Sequence, residues 1–414
     1  VQSKQPEARS VRGATRGAGR VGKSRRRRIT GLDVVVVVLM ALGSLVYIEP
    51  APFDLLIILL LPIALVMRRL SIPKRGSVAL AALALFLLAN AISLVPARDL
   101  GVALRFGAIT AYLAIAWVFI AGFVGKQGER GVQLVMWGWT WGAVVTTTIA
   151  IAAYFGVLPF AEQLAPQGRL HAFFKDANVL GAYLVAPAVW SASRLVLLER
   201  GNRLPWALAL VVCGVGILLT YSRGAWISVA VAMFTFFSLR LVGVGSRRSR
   251  TMTLLAVPVA VVLLAVALDR LVDVNVVQDM LEQRLGPQEY DVDRFATQRE
   301  ALEVAVARPF GIGPGQSEQA FTRAAHNTYV RGLVENGYLG GLALAGLMFS
   351  SLFMAIWTAL GSREPRLQVA MAVVAASLAA VCVESLVIDS VHWRHLWVLA
   401  ALAWTPSVRD SGRA

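Results

Sequence analysis

The sequence predicts an all-α polytopic membrane protein of about twelve transmembrane helices, with one long extracytoplasmic loop. Hydrophobic residues make up 57% of the 414 positions and charged residues only 15%, more apolar surface than a soluble domain of this size needs. Apolar runs of near-spanning length recur throughout the chain, and about 20 apolar residues carry a helix across a bilayer. Behind the first 30 residues, only the interval from Asp269 to Tyr329 is both long and polar.

Taken in order, residues 1–30 are rich in Gly, Ser and Arg with almost nothing to bury, and read as a disordered basic cytoplasmic tail. Its Arg25–Arg28 cluster sets orientation and could touch anionic lipid. The apolar run behind it lacks a small-residue cleavage site, so it is expected to be an anchor rather than a removed signal peptide. Spans are expected near 32–49, 53–67, 77–95, 103–124, 131–155, 178–198, 204–220, 224–242, 252–269, 332–360, 367–388 and 394–407. Glu49-Pro50-Ala51-Pro52 separates the first two, which are short enough to form a helical hairpin instead. Nine helices thus occupy residues 31–270 and three occupy 328–407. The long extracytoplasmic loop is 271–327, and 408–414 is a second cytoplasmic tail.

The net charge of +16 does not point to nucleic acid, because most of it sits in the tail and in short inter-helix loops, where membrane topology alone places Lys and Arg. With both ends cytoplasmic, four polar clusters fall together on the outer face: 165–177, 221–223, 270–327 and 389–394. With the last of them followed on to His395, they gather all four histidines of the protein. Cys213 and Cys382 both lie in apolar runs and read as small buried hydrophobes, not as a disulfide or metal site.

Several residues in these clusters could carry chemistry. Arg223 sits in a tight junction, Thr220-Tyr221-Ser222-Arg223-Gly224, against the positive-inside trend, and its planar fork suits phosphate oxygens. Arg294 opens a helix-like interval ending at Ala307, with Arg299 and Glu300 as ordinary surface residues of the same helix. The Gly311-x-Gly313-x-Gly315 run has neither the strand before it nor the helix after it that a phosphate loop needs, so a flexible turn returning the chain to the membrane is expected. His326, beside Asn327 and Tyr329, could accept a proton from a hydroxyl. Glu335 could orient His326, or pair with Arg331 across one helical turn. His392 and His395 share a face and permit metal ligation geometrically, but Trp393 and Trp397 beside them favour an aromatic belt. Asp389 is a site residue or a helix cap.

In order and spacing, these stretches resemble the O-antigen ligase and O-antigen polymerase superfamily of bacterial membrane glycosyltransferases, over essentially everything after the tail. The matching residues are Phe173-Phe174-Lys175-Asp176-Ala177-Asn178-x-x-Gly181 and Thr220-x-Ser222-Arg223-Gly224. Arg294 follows, with Pro309-Phe310-Gly311-Ile312-Gly313 at fixed spacing, then His326-Asn327-x-Tyr329, Glu335-x-Gly337 and Asp389-x-x-His392. Ala177 stands where the family usually has proline, which loosens the turn but leaves Asn178 in place.

The resemblance implies a GT-C-like fold in the bacterial cytoplasmic membrane, with its active site on the extracytoplasmic side. It implies a polyprenyl-diphosphate-linked glycan donor, a glycan or glycolipid acceptor and metal-independent transfer with inversion, with no cofactor. Arg223 and Arg294 would hold the diphosphate, and His326 would be the general base. Arg169, Lys175, Asn178, Asn327, Tyr329, Glu335, Asp389 and His392 would contact substrate or support the site. Membrane lipid is an expected partner, chain-length-control proteins are candidates, and nucleic acid is not expected. The alternative is a transporter or flippase of lipid-linked saccharides, which would place its site near the midplane and show internal repeats. No repeat relates the two halves.

Overall fold

The computed structural model describes residues 29–197, 201–243, 251, 289–321 and 326–406; the side chains of 197 and 289–294 lie outside what it describes. Nearly all of the basic tail, the expected span 252–269, residues 271–288 and 322–325 of the long loop, and the tail 408–414 also lie outside. Among the described residues the elements are helices: α1 (Gly31–Leu42), α2 (Pro52–Val66), α3 (Ser77–Ser93), α4 (Leu100–Gln127), α5 (Glu129–Tyr154), α6 (Ala161–Leu164), α7 (Ala177–Leu197), α8 (Leu204–Leu219) and α9 (Arg223–Val242). They continue with α10 (Glu289–Ala307), α11 (Ser317–Ala320), α12 (Thr328–Gly361), α13 (Pro365–Glu384) and α14 (Arg394–Leu402). Short 3₁₀ turns precede α3 and follow α6.

Among the described residues, seven helices are long and apolar enough to cross a membrane: α3 with its lead-in from Lys74, α4, α5, α7, α9, α12 and α13. Three further apolar helices, α1, α2 and α8, are shorter. Each end has a local cause. Thr30 and Asp33 form a capping box that starts α1, Asp99 caps α4, and Ser222 caps α9, each side chain taking an amide that the first turn leaves without a partner. At the far end of the bundle Asp33 also pairs with Arg130 of α5 at 2.7 Å. There α1 and α5 touch backbone to backbone. A methyl group on Gly138 or Gly142, one helical turn apart, would overlap the α1 backbone at Val37 or Ala41, the small-residue contact that lets membrane helices approach.

The centre of the bundle is α13, buried along most of its length and packed against α9, α12 and α7. Two expected spans differ from what is observed. The segment 332–360 does not enter as one rod, because α12 breaks at Gly337 (φ 67°, ψ −175°). Its first piece doubles back: Leu333 packs on Gly341 and Gly332 approaches Leu344. The segment 394–407 is only the nine-residue α14, about 14 Å long at 1.5 Å per residue, too short to cross. Every residue of α14 is buried. After Arg394, which pairs with Asp54 of α2, and His395, its residues are apolar because protein surrounds them, which hydropathy alone cannot tell from lipid.

Candidate functional site

The loop between α6 and α7 meets the α8–α9 junction at one end of the bundle. Leu170 donates its amide to the Leu219 carbonyl at 2.8 Å. The Arg169 guanidinium donates from Nε to the Thr220 carbonyl at 2.9 Å and from Nη2 to Asn178 Oδ1 at 3.0 Å. Arg169 and Asn178 therefore brace the turn that carries Arg223. Asp176 Oδ1 accepts the Asn178 amide and starts α7 with Ala177 buried in its first turn, so the absent proline leaves no gap.

In the junction itself Tyr221 adopts φ 49°, an unusual conformation for a residue with a side chain. Its hydroxyl lies 3.2 Å from that of Tyr154. Ser222 then caps α9 through the Ala225 amide, which makes Arg223 the first residue of that helix and leaves it partly buried. Lys175 is engaged elsewhere, with Glu49 at 2.9 Å. His171, partly buried in the same loop, is held below the usual histidine range by that burial.

The second part of the site is the broken helix and the turn that breaks it. Ile312 and Gly313 donate their amides to the Val334 and Glu335 carbonyls at 2.9 and 3.0 Å, and Tyr338 donates back to the Pro309 carbonyl at 3.0 Å. Gly311 and Gly337 have positive φ, and a methyl group on either would overlap the other strand of this pairing. The expected flexible turn is therefore a packed one. It is no phosphate cradle either: the Gly311 amide goes to the Arg308 carbonyl and the Gly315 amide to Glu335 Oε2 at 2.9 Å. On α10, Thr297, Ala301 and Ala305 are buried while Arg299 and Glu300 are exposed. Arg294 lies on that helix, and its side chain falls outside the described residues.

His326 stands just before α12, partly buried, with φ 45°. The residues after it are held tightly. Asn327 caps α12 through the Tyr329 and Val330 amides and donates from Nδ2 to the Leu386 carbonyl at 3.0 Å. The Thr328 amide donates to the Ser385 carbonyl at 2.8 Å. The Tyr329 hydroxyl donates to the Cys382 carbonyl at 3.0 Å.

One turn on, Arg331 is buried, 7% exposed. It pairs with Glu335 at 3.0 Å, with Asp389, and with Glu318 at 3.4 Å, and lies over the Phe106 ring. Glu335 thus takes the pairing alternative, and Asp389 joins it. Burial by itself would raise the Asp389 carboxyl, but Arg331 beside it holds it below the usual carboxylate range. His392 packs on the Phe106 ring, 3.3 Å from Thr110 Oγ1. Burial, with the Arg331 charge adding to it, lowers its pKa to about 4. His395 lies among Trp139, Tyr183 and Trp393, so both rings have aromatic company, His395 buried and His392 partly so. Among the described residues no three His, Cys, Asp or Glu side chains converge as metal ligands.

The two parts are joined where α13 ends. Glu384 bonds Ser228 of α9, and its neighbour Ser385 holds Thr328. The loop 165–177 meets the α8–α9 junction directly, Asp389 and the described loop residues 315–318 meet through Arg331 and Glu335, and the end of α13 links these two groups. Arg331 is expected from the sequence only as a candidate partner of Glu335, and Glu384 is a lone charge at the edge of an apolar run. That was itself the signal, since an ionisable residue in an apolar run is a functional or structural anchor by default.

Residues 208–345 match the family model described as O-antigen ligase. No curated protein matches the chain. The matched stretch holds Arg223, Arg294 and His326 and runs into α12 past the break at Gly337. That family implies glycosyltransferase-type activity in surface-polysaccharide assembly, with lipid-linked glycan and acceptor substrates. Residues 208–345 are thus similar to the O-antigen ligases, within a multi-pass helical membrane protein.

Proposed function

We propose that the protein transfers a glycan from a polyprenyl-diphosphate-linked donor to an acceptor hydroxyl on another glycan or glycolipid, at the outer face of the cytoplasmic membrane. One observation carries the reading: α9, the helix that Arg223 opens, and the segment bearing His326 are fastened to consecutive residues of the same strut, Glu384 and Ser385. Arg223 and Arg294 bind the diphosphate. His326 takes the proton from the acceptor hydroxyl as its oxygen attacks the anomeric carbon from the face opposite the leaving group, so the configuration inverts. The bond to the diphosphate breaks and its electron pair leaves on the phosphate oxygen, whose growing charge the arginines stabilise. Fixed donors at a low-dielectric membrane rim stabilise such charge best when they are positioned beforehand.

The lipid-borne donor follows from chemistry. Nucleotide sugars are cytoplasmic, so an outward-facing transferase needs a donor already carried across. The break in α12 lies beside the site segments at one end of the bundle and not at mid-span, unlike the broken helices of a transporter.

The test is transfer by purified protein with lipid-linked glycan and acceptor. Removing one fixed donor costs on the order of 100- to 1000-fold in rate, and that loss is expected for Arg223→Ala and Arg294→Ala. Arg223→Lys should remain strongly impaired, because it loses the planar fork. Arg299→Ala, on the exposed face of α10, should be mild. Equal losses at Arg294 and Arg299 in folded, inserted protein would show that the wrong arginine has been assigned. Activity should also persist in chelator, since no step uses a metal.

A further inference from the structure

The end of α13 grips the two halves of the site in opposite directions. The Ser385 carbonyl takes the Thr328 amide at 2.8 Å, two residues beyond His326. Glu384, only 2% exposed, reaches the other way. Its Oε2 accepts the Ser228 hydroxyl at 2.6 Å, in the second turn of α9. Its Oε1 is buried with no hydrogen-bond partner among the described residues and lies against the first turn of that helix. A Cβ on Gly224 would stand 2.9 Å from Oε1, so the residue after Arg223 is bare where the carboxyl packs. Gly181 on α7 closes on the same turn, its missing Cβ leaving room for Ala225 and Thr220. A buried carboxyl oxygen without a partner works against stability, and packing alone would be better served by an apolar side chain.

We propose that Glu384 is a positioning residue of the donor subsite: through Ser228 and the bare turn at Gly224, its carboxyl sets where Arg223 stands relative to the segment that carries His326. This rests on the reading of Arg223 as a diphosphate ligand. Glu384 itself touches no reacting atom. Its effect is on the first turn of α9, where a small displacement changes how well the guanidinium meets the phosphate oxygens.

The experiment is a double-mutant cycle on the full-length purified protein, read by donor KM, kcat, unfolding temperature and inhibition by farnesyl diphosphate, an isoprenyl diphosphate without a glycan. Glu384→Gln keeps the shape and the Ser228 bond, and should stay within about threefold of wild type in inhibition constant. Glu384→Ala and Gly224→Ala should each weaken inhibition and raise donor KM by about tenfold, with smaller changes in kcat. In the double variant the added methyl group no longer meets a carboxyl, so the losses should not add: Glu384→Ala with Gly224→Ala should be no worse than Glu384→Ala alone. A lower unfolding temperature in Glu384→Ala with unchanged inhibition and KM would make Glu384 a packing residue and overturn the inference, as would additive losses in the cycle. Arg223→Ala is measured alongside. Unchanged inhibition there overturns the diphosphate reading and this inference with it, whereas unchanged inhibition in Glu384→Ala alone overturns only the inference.

Discussion

At Arg331 three carboxylates, Glu318, Glu335 and Asp389, meet one guanidinium over the Phe106 ring. Glu335 is buried deeply enough that water cannot replace the arginine if it is removed, and Asp389 is largely covered. Breaking a buried pair by taking one partner away costs about 3–5 kcal/mol, because the other charge is left uncompensated. Arg331→Gln should therefore lower the unfolding temperature sharply, while removing the half-exposed Glu318 should change it little; thermal unfolding in detergent compares the two. His392, beside this cluster, gives a pH dependence. Burial holds its pKa to about 4, below the usual histidine value of 6.5, so the unfolded chain takes up a proton that the folded chain refuses. Its contribution to stability is complete above the unfolded value and is lost as the pH falls from about 6.5 towards 4. His392→Gln should flatten that part of the unfolding-temperature profile, and profiles that run parallel would show that another group sets the slope. The pairing of Arg331 with Glu335 was open to a reader of the sequence, since residues four apart share a helix face. The partner Asp389 was not, because nothing local in 389–392 points to a residue 58 positions earlier.

The element that sequence periodicity misjudged is α12. Read as hydropathy, 332–360 is one apolar run, and a glycine within it is ordinary in a membrane helix. The break at Gly337 arises from a distant segment, 309–313, whose amides and carbonyls pair with 334–338. No local signal announces such pairing, although the Glu335-x-Gly337 motif marked the place. Gly337→Ala puts a methyl group into the Pro309 backbone at a positive φ, and should destabilise by about 1–3 kcal/mol or more. It should also reduce transfer, because His326 and Asn327 lead directly into the first piece of this helix. Gly346, further along α12, has open space where its Cβ would go, so Gly346→Ala should be neutral or slightly stabilising. Similar unfolding temperatures for the two variants would remove the case that the break is built into the fold. The GxGxG run was legible as something other than a phosphate loop, but its packed form required the same long-range pairing. The helix α10 was legible from composition, and its exposed face holds Arg299 and Glu300 as expected.

For the whole molecule, composition and apolar runs were enough to give an all-helical membrane body, and most span centres fall where hydropathy puts them. The last expected span failed because α14 is wrapped by protein, and an apolar sequence does not record what surrounds it. Orientation is the remaining property of the whole chain, and it rests on the uneven placement of Lys and Arg between alternate loops. The site contacts lie at the end of the bundle that holds the α5–α7 connection and α11. The Asp33–Arg130 pair and the α12–α13 turn belong to the opposite end. Glu162 and Gln319 are exposed near the site and Arg363 is exposed in the α12–α13 turn, while the native Cys213 and Cys382 are buried. Single cysteines at Glu162 and Gln319 should therefore react with a membrane-impermeant thiol reagent added to intact cells. A cysteine at Arg363 should react only after the membrane is opened. Labelling of the Arg363 position in sealed cells, with the other two protected, would put the site in the cytoplasm. A nucleotide-sugar donor would then be accessible, and the case for a lipid-linked one carried across beforehand would fall.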